Sequence, residues 1–153
     1  MLDRIYFHVV WTTRDRLPLI DAGLARFLCG FLRAVAIQEN ARILEIGMVR
    51  THVHLLVRAR PTTNLSRLLQ RLKGGSAAIA GKERHSTDGN CLRWARGYSI
   101  HSVNPRGIPA AREYLRAQGK HHPDEVVPGW LGDVPEYEIS GLDEWRSEPR
   151  KRV

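Results

Sequence analysis

The stretch VRTHVHLLVRAR, residues 49 to 60, sets two histidines two positions apart inside an otherwise apolar, β-branched run. Imidazole nitrogens are ligands for divalent cations, and two of them on one surface make a chelating pair. A second stretch, EYLRAQGKHH from residue 113 to 122, sets the phenol of Tyr114 four residues from the carboxamide of Gln118. That spacing offers a nucleophile beside a third oxygen ligand. A cation touching a phosphate oxygen would neutralise developing charge and orient phosphorus for in-line attack. It would also favour ionisation of a nearby phenol, whose ordinary pKa is about 10. Each feature has a plainer explanation as well: two satisfied surface histidines, and a tyrosine on the outer face of an amphipathic helix.

Both sets of residues need elements to hold them. Val49, Val53, Leu55, Leu56 and Val57 suit a pleated, half-buried strand, on which residues two apart point the same way. His52 and His54 therefore share one face, and Val53, Leu55 and Val57 share the other. Only Arg50 and Thr51 separate this run from RILEIGMV, residues 42 to 49, which predicts a β-hairpin. RIYFHVVWTT, residues 4 to 13, alternates as a strand until RDRLP breaks it, and YSIHSV, residues 98 to 103, reads as a fourth.

Between them lie helical patterns. Leu24, Phe27, Leu28, Phe31, Leu32 and Val35 recur at helical spacing from Ala22 to Gln38, with Asp21 placed as the cap. A second helix is expected over 63–80, with Leu65, Leu68, Leu69 and Leu72 inward and Arg67, Arg71 and Lys73 largely outward. Gly74 and Gly75 cost that helix about 1 kcal/mol each relative to alanine, which points to a close backbone approach or a helix end. A polar loop follows over 81–92. The third helix opens at NPRGIP, carries Pro109 in its first turn, and must stop by His122 because Pro123 follows. On it, Ile108, Ala111 and Leu115 mark the buried side, and Tyr114 and Gln118 lie on one face. The order is that of an α+β, ferredoxin-like βαββαβ fold: an antiparallel sheet, two helices on one face, and a C-terminal helix beyond.

A chain of 153 residues is expected to hold one core. We read residues 1–122 as the body and 123–153 as an arm containing Pro128, Trp130, Pro135, Tyr137 and Trp145. The body holds 20 basic and 8 acidic side chains, the arm 4 and 8. Such a basic body fits a polyanionic partner, nucleic acid first. Cys29 and Cys91 show no CxxC spacing and are expected to pack rather than to form a disulfide or bind zinc. No apolar run approaches the ~18 residues of a membrane span. The opening MLDRIYFHVV does not resemble a secretory leader, so a cytoplasmic protein with no membrane partner is expected.

Four ordered strings, THVHLLV, LQRLKGGSA, WARGYSIHSV and YLRAQGKHH, following the opening HVVWTTRDRLPL, give the chain a specific resemblance. It resembles the single-tyrosine transposases of the HUH nuclease superfamily, most of all their REP-associated branch, over nearly the whole body. The resemblance implies that His52, His54 and Gln118 hold a divalent cation, Mg²⁺ or Mn²⁺, and that Tyr114 is the nucleophile. It implies a substrate of single-stranded DNA carrying an imperfect hairpin. That DNA would be nicked through a 5′-phosphotyrosine link and rejoined by a second transesterification, with no nucleotide cofactor.

Arg58, Arg60, Arg67, Arg71, Lys73, Arg96, Arg112 and Arg116 are candidate phosphate contacts, and His121 and His122 are accessory candidates. Trp11 and Trp94 could stack on bases or lie in the core; His8, His85 and His101 have no evident partner. Family members act as monomers or as homodimers whose tyrosine helices complete each other's sites, with the loop around Gly107 as the hinge of any exchange. Two other functions stay open: a catalytically silent nucleic-acid-binding module on the same scaffold, and a replication-initiator-like HUH nuclease.

Overall fold

The computed structural model describes residues 5–133; Pro135, Tyr137 and Trp145 of the expected arm lie outside the described residues. Four strands form one sheet in the order β2-β3-β1-β4, with every neighbouring pair antiparallel. They are β1 (Ile5–Thr12), β2 (Ala41–Val49), β3 (His52–Ala59) and β4 (Ser99–Val103). Helix α1 (Ala22–Gln38) connects β1 to β2, and α2 (Leu65–Gln70), a π-helical turn (Arg71–Gly75) and α3 (Ser76–Glu83) connect β3 towards β4. Beyond β4 come α4 (Ile108–Arg116) and the short α5 (Gln118–His121). This is the expected α+β arrangement.

Strand alternation sorts the sheet into two faces. Phe7, Val9, Trp11, Ile43, Met48, Val53, Leu55 and Val57 form one core with Leu24, Leu28 and Leu32 of α1 and Leu68, Leu69 and Leu72 of the second helical layer. Each large side chain buried there contributes about 1.5–3 kcal/mol of transfer free energy. Trp11 is in this core, and the Trp94 indole donates to Ser76 Oγ at 2.9 Å against it. The other face carries His52 and His54 and is covered by α4 and α5 over β2 and β3. Its β1–β4 half is open, with Ser99 and His101 exposed.

Four local expectations are corrected. Leu65 is 37% exposed, because it opens α2 a turn before that helix meets the core at Leu68. Gly74 and Gly75 do not end a helix; they lie in the π-helical turn, where a Cβ on Gly75 would stand 3.1 Å from the Phe31 ring. Helical structure runs on to Glu83, three residues beyond the expected end at residue 80. Cys91 is exposed rather than packed. The described start of the arm packs on the body: Val127 is buried in the core, Trp130 packs against it, and Asp133 pairs with Arg33.

Asp21 caps α1 as expected, accepting from Leu24 N at 3.0 Å, and also holds the loop after α3. Its carboxylate accepts from Thr87 N at 3.0 Å, Asp88 N at 3.1 Å and the Ser86 hydroxyl. Burial pushes its pKa up, but the bonds from Ser86, Leu24, Thr87 and Asp88 outweigh this and hold it below the ordinary aspartate pKa of 3.8. The resulting stability is complete above that pH and is lost as pH falls through the depressed folded value. Asp21→Ala should cost about 2 kcal/mol at neutral pH, the sum of a lost cap and orphaned loop amides. In thermal unfolding the midpoint should fall by about 4–8 °C; an unchanged midpoint would remove Asp21 as the clasp.

Candidate active site

The two histidines reach one place because β3 is a regular strand. Their ring centroids are 5.0 Å apart. The antiparallel register sets Thr12 and Val49 opposite His52, and Val10 and Gly47 opposite His54. Both imidazoles are nearly inaccessible. Burial lowers the pKa of His52, and lowers that of His54 to about 3, helped by the neighbouring His52, His8, His122 and His121. Both are therefore neutral near pH 7, the form in which an imidazole nitrogen can donate a lone pair.

Tyr114 and Gln118 arrive differently from the single helical face expected. Helical geometry breaks at Ala117 (φ −92°, ψ 14°), so the two residues sit on α4 and α5. The break lets them diverge in exposure: Tyr114 is 44% exposed and Gln118 1%. Gln118 Nε2 donates to the Tyr114 carbonyl at 3.2 Å, which turns its Oε1 to within 3.4 Å of His52 Nε2. The Tyr114 ring centroid lies 5.8 Å from that of His54 and 5.0 Å from that of His121. His122 stands edge-on to His52 at 4.8 Å. One chain thus brings together every residue of the expected catalytic and metal set.

Two features of β2 dock the tyrosine helix. A Cβ on Gly47 would stand 2.3 Å from the Leu115 carbonyl oxygen, so only glycine lets α4 approach this strand. A register irregularity between Ile43 and Glu45 turns Glu45 to the same face, where its fully buried carboxylate takes Arg116 at 2.6 Å and Arg112 at 3.3 Å. Both signals were in the sequence, as a glycine and an acid inside the apolar run RILEIGMV.

His8 was also without an expected partner, and the structure supplies one. Its Nε2 lies 2.9 Å from His54 Nδ1, with the rings stacked at 5.1 Å. The alternation of FHVVW, which sends Phe7 and Val9 to the core, was the available clue. Behind His52, Thr51 Oγ1 lies 3.0 Å from Nδ1 and donates to Glu125 Oε1 at 2.9 Å.

The basic candidates divide between the faces. Arg58 lies on the histidine face, 6.0 Å from the Tyr6 ring centroid, and Arg60 closes β3 beside it. Arg67 and Arg71 lie on the opposite layer, where both reach Glu39 at the end of α1. Lys73 donates to the carbonyls of Ala95 and Gly97 and so braces the loop that bears the exposed Arg96. Among the described residues no three His, Cys, Asp or Glu side chains form a metal cluster; the expected ligand set is two imidazoles and a carboxamide. Nor, among them, is any helix long and apolar enough to cross a membrane.

The family model described as "Transposase IS200 like" matches residues 1–118. The chain belongs to the IS200-like transposase family. This transposase is 25% identical over 120 residues to the ISDra2 transposase TnpA of Deinococcus radiodurans, covering 75% of this chain and 84% of that one. It is 24% identical over 115 residues to the transposase for insertion sequence element IS200 of Salmonella typhimurium, covering 73% and 75%. Among solved structures, a REP-associated tyrosine transposase bound to a REP hairpin superposes with a TM-score of 0.60 at 14% identity, covering 80% of this chain and 70% of that one. At that identity the likeness is one of fold, here a four-stranded antiparallel sheet with its helices.

Proposed function

We propose that this transposase nicks and rejoins single-stranded, hairpin-bearing DNA, with Tyr114 as nucleophile and His52, His54 and Gln118 as ligands of a divalent cation. The observation that carries this is the convergence, within one chain, of the Tyr114 ring on His54 and of Gln118 Oε1 on His52 Nε2. The donor set fits the cation: two neutral imidazoles and an amide oxygen leave positions for phosphate and water. What bound Mg²⁺ or Mn²⁺ supplies is neutralisation of charge on the phosphate and its orientation for in-line displacement.

This chain's residues do the rest. The half-exposed Tyr114 phenol gives up its proton and its oxygen attacks phosphorus. The new bond is a 5′-phosphotyrosine, the broken bond is that to the 3′ oxygen, and that oxygen leaves as a hydroxyl after taking up a proton. Attack by a 3′-hydroxyl on the phosphotyrosine reverses the exchange, joins the strands and returns the phenol. His121, against the phenol, and His122, against His52, are accessory groups at this centre. The open β1–β4 half of the sheet, with His101 exposed on it and Arg58 of β3 at its border over the Tyr6 ring, offers the strand a path to Tyr114. Arg112 and Arg116 add positive charge on the tyrosine helix while also holding Glu45, and Arg60, past the far end of β3, and Arg96, in the loop braced by Lys73, are more distant phosphate contacts. The docking of α4 at Gly47 and Glu45 supports a site completed within one chain. The hairpin substrate is supported by the related structure that holds one.

Purified full chain mixed with labelled single-stranded hairpin DNA from around its own gene provides the test. With Mg²⁺ or Mn²⁺, a denaturing gel should show a protein–DNA adduct carrying a 3′-end label, while a 5′-end label appears in a shorter free fragment. EDTA should abolish both. Binding without any adduct, across several flanking hairpins and both metals, would leave a nucleic-acid-binding module in place of a nuclease.

A further inference from the structure

His52 is held from behind by a chain that no part of the proposed chemistry uses. Thr51 Oγ1 lies 2.9 Å from Glu125 Oε1 and 3.0 Å from His52 Nδ1. A carboxylate only accepts, so the single hydroxyl proton of Thr51 goes to Glu125. The Thr51 oxygen then meets His52 as an acceptor, and Nδ1 must carry the proton. The reverse assignment would set two acceptor oxygens against each other at 2.9 Å. With the ring neutral, its bare nitrogen is Nε2, which stands 3.4 Å from Gln118 Oε1 as one acceptor beside another, a longer and weaker opposition that a shared cation relieves.

The chain joins two parts of the fold that are distant in sequence. Thr51 is 4% exposed in the β2–β3 turn, and its carbonyl accepts from Thr13 N at 2.8 Å. Glu125 comes from the turn Pro123–Glu125 after the tyrosine helix, and its carbonyl accepts from Arg50 N at 2.7 Å. Its second carboxylate oxygen lies 3.5 Å from His122 Nδ1. Backbone bonds thus fix both ends of the chain, and the side chains do not depend on solvent to meet. His54 is arranged alike, with its Nδ1 turned to His8 and away from the shared centre.

We propose that Glu125 and Thr51 are positioning residues, a carboxylate–hydroxyl–imidazole chain that fixes His52 as its Nδ1–H tautomer and points Nε2 at a divalent cation. This rests on His52 being a ligand of the proposed cation site. Partners on the far side of a ligating histidine set its tautomer and ring orientation, and their removal weakens metal affinity about 10- to 100-fold.

Two measurements on the full chain separate the chain from the site it serves. Imidazole ¹⁵N shifts of metal-free protein, with His52 assigned by its loss in His52→Ala, should show Nδ1 protonated. Calorimetric titration with Mn²⁺ should show Thr51→Val weakened about 10- to 100-fold, with Thr51→Ser close to wild type in both measurements. Glu125→Ala, at the more exposed end, should act in the same direction and serves if Thr51→Val does not fold. An Nε2-protonated His52 in the wild type overturns the proposal, as does wild-type Mn²⁺ affinity in Thr51→Val where His52→Ala has lost it. If wild type and His52→Ala bind Mn²⁺ alike, the cation site itself falls, and the tautomer of His52 still decides whether the chain exists.

Discussion

Tyr114→Phe should eliminate the covalent protein–DNA adduct while leaving hairpin binding within a few-fold of wild type. The substitution removes one hydroxyl from a side chain that is 44% exposed, so folding should change by no more than about 0.5 kcal/mol. The ring contacts with His54 and His121 remain, and so does the shape of the surface met by DNA. What is lost is the hydroxyl proposed to attack phosphorus. Removing a nucleophile from a covalent mechanism costs several orders of magnitude, here at least about 10³-fold in adduct formation. A denaturing gel beside a binding assay measures the two quantities separately. Unchanged cleavage would remove Tyr114 as nucleophile and point to hydrolysis by water.

Gly47→Ala should have the next largest effect, although its position carries no reactive group. The added Cβ would meet the Leu115 carbonyl oxygen at 2.3 Å and the Gln118 Cγ at 3.0 Å. The closer contact is with backbone, which cannot yield as a flexible side chain would, so α4 must lift from β2. Overpacking of this kind costs about 1–3 kcal/mol. The functional loss should be larger than the loss of stability, because α4 carries Tyr114 and α5 carries Gln118, and a displacement near 1 Å costs about 10²-fold. Glu45 would oppose the movement through Arg112 and Arg116, which concentrates the strain on the helix rather than on the sheet. The rate of adduct formation should fall by about 10²-fold or more with hairpin binding largely kept. A wild-type rate would show that this docking is not the working one.

Much of the scaffold was legible because its periods are local. Asp21 is followed by leucines and phenylalanines at helical spacing, and α1 begins and ends where that pattern does. The strand period of two put His52 and His54 on one face before any neighbour was known. Sequence periodicity was less informative where two elements compete for one residue. After Pro109 in its first turn the expected third helix has no proline or glycine until Gly119, yet it breaks at Ala117, where Gln118 turns inward to His52 and to the Tyr114 carbonyl. Leu65 has the apolar type of its helix but precedes the point where that helix meets the sheet. The basic side chains were legible as charge, not as location: Arg58 shares the histidine face, whereas Arg67 and Arg71 are paired with Glu39 on the other layer.

Residue types and short spacings by themselves determined the α+β class, the strand that presents the paired histidines, and a tyrosine and a glutamine one helical turn apart. These follow from interactions over a few residues, which steric and hydrophobic periodicity encode directly. Tertiary structure alone decided that His8 lies against His54, that Gly47 and Glu45 seat the tyrosine helix, and that Glu125 reaches His52 through Thr51. Each of the last contacts joins residues separated by 46 positions or more, except Thr51 to its neighbour. They depend on strand register and helix docking, where one residue of slip would turn every side chain to the opposite face.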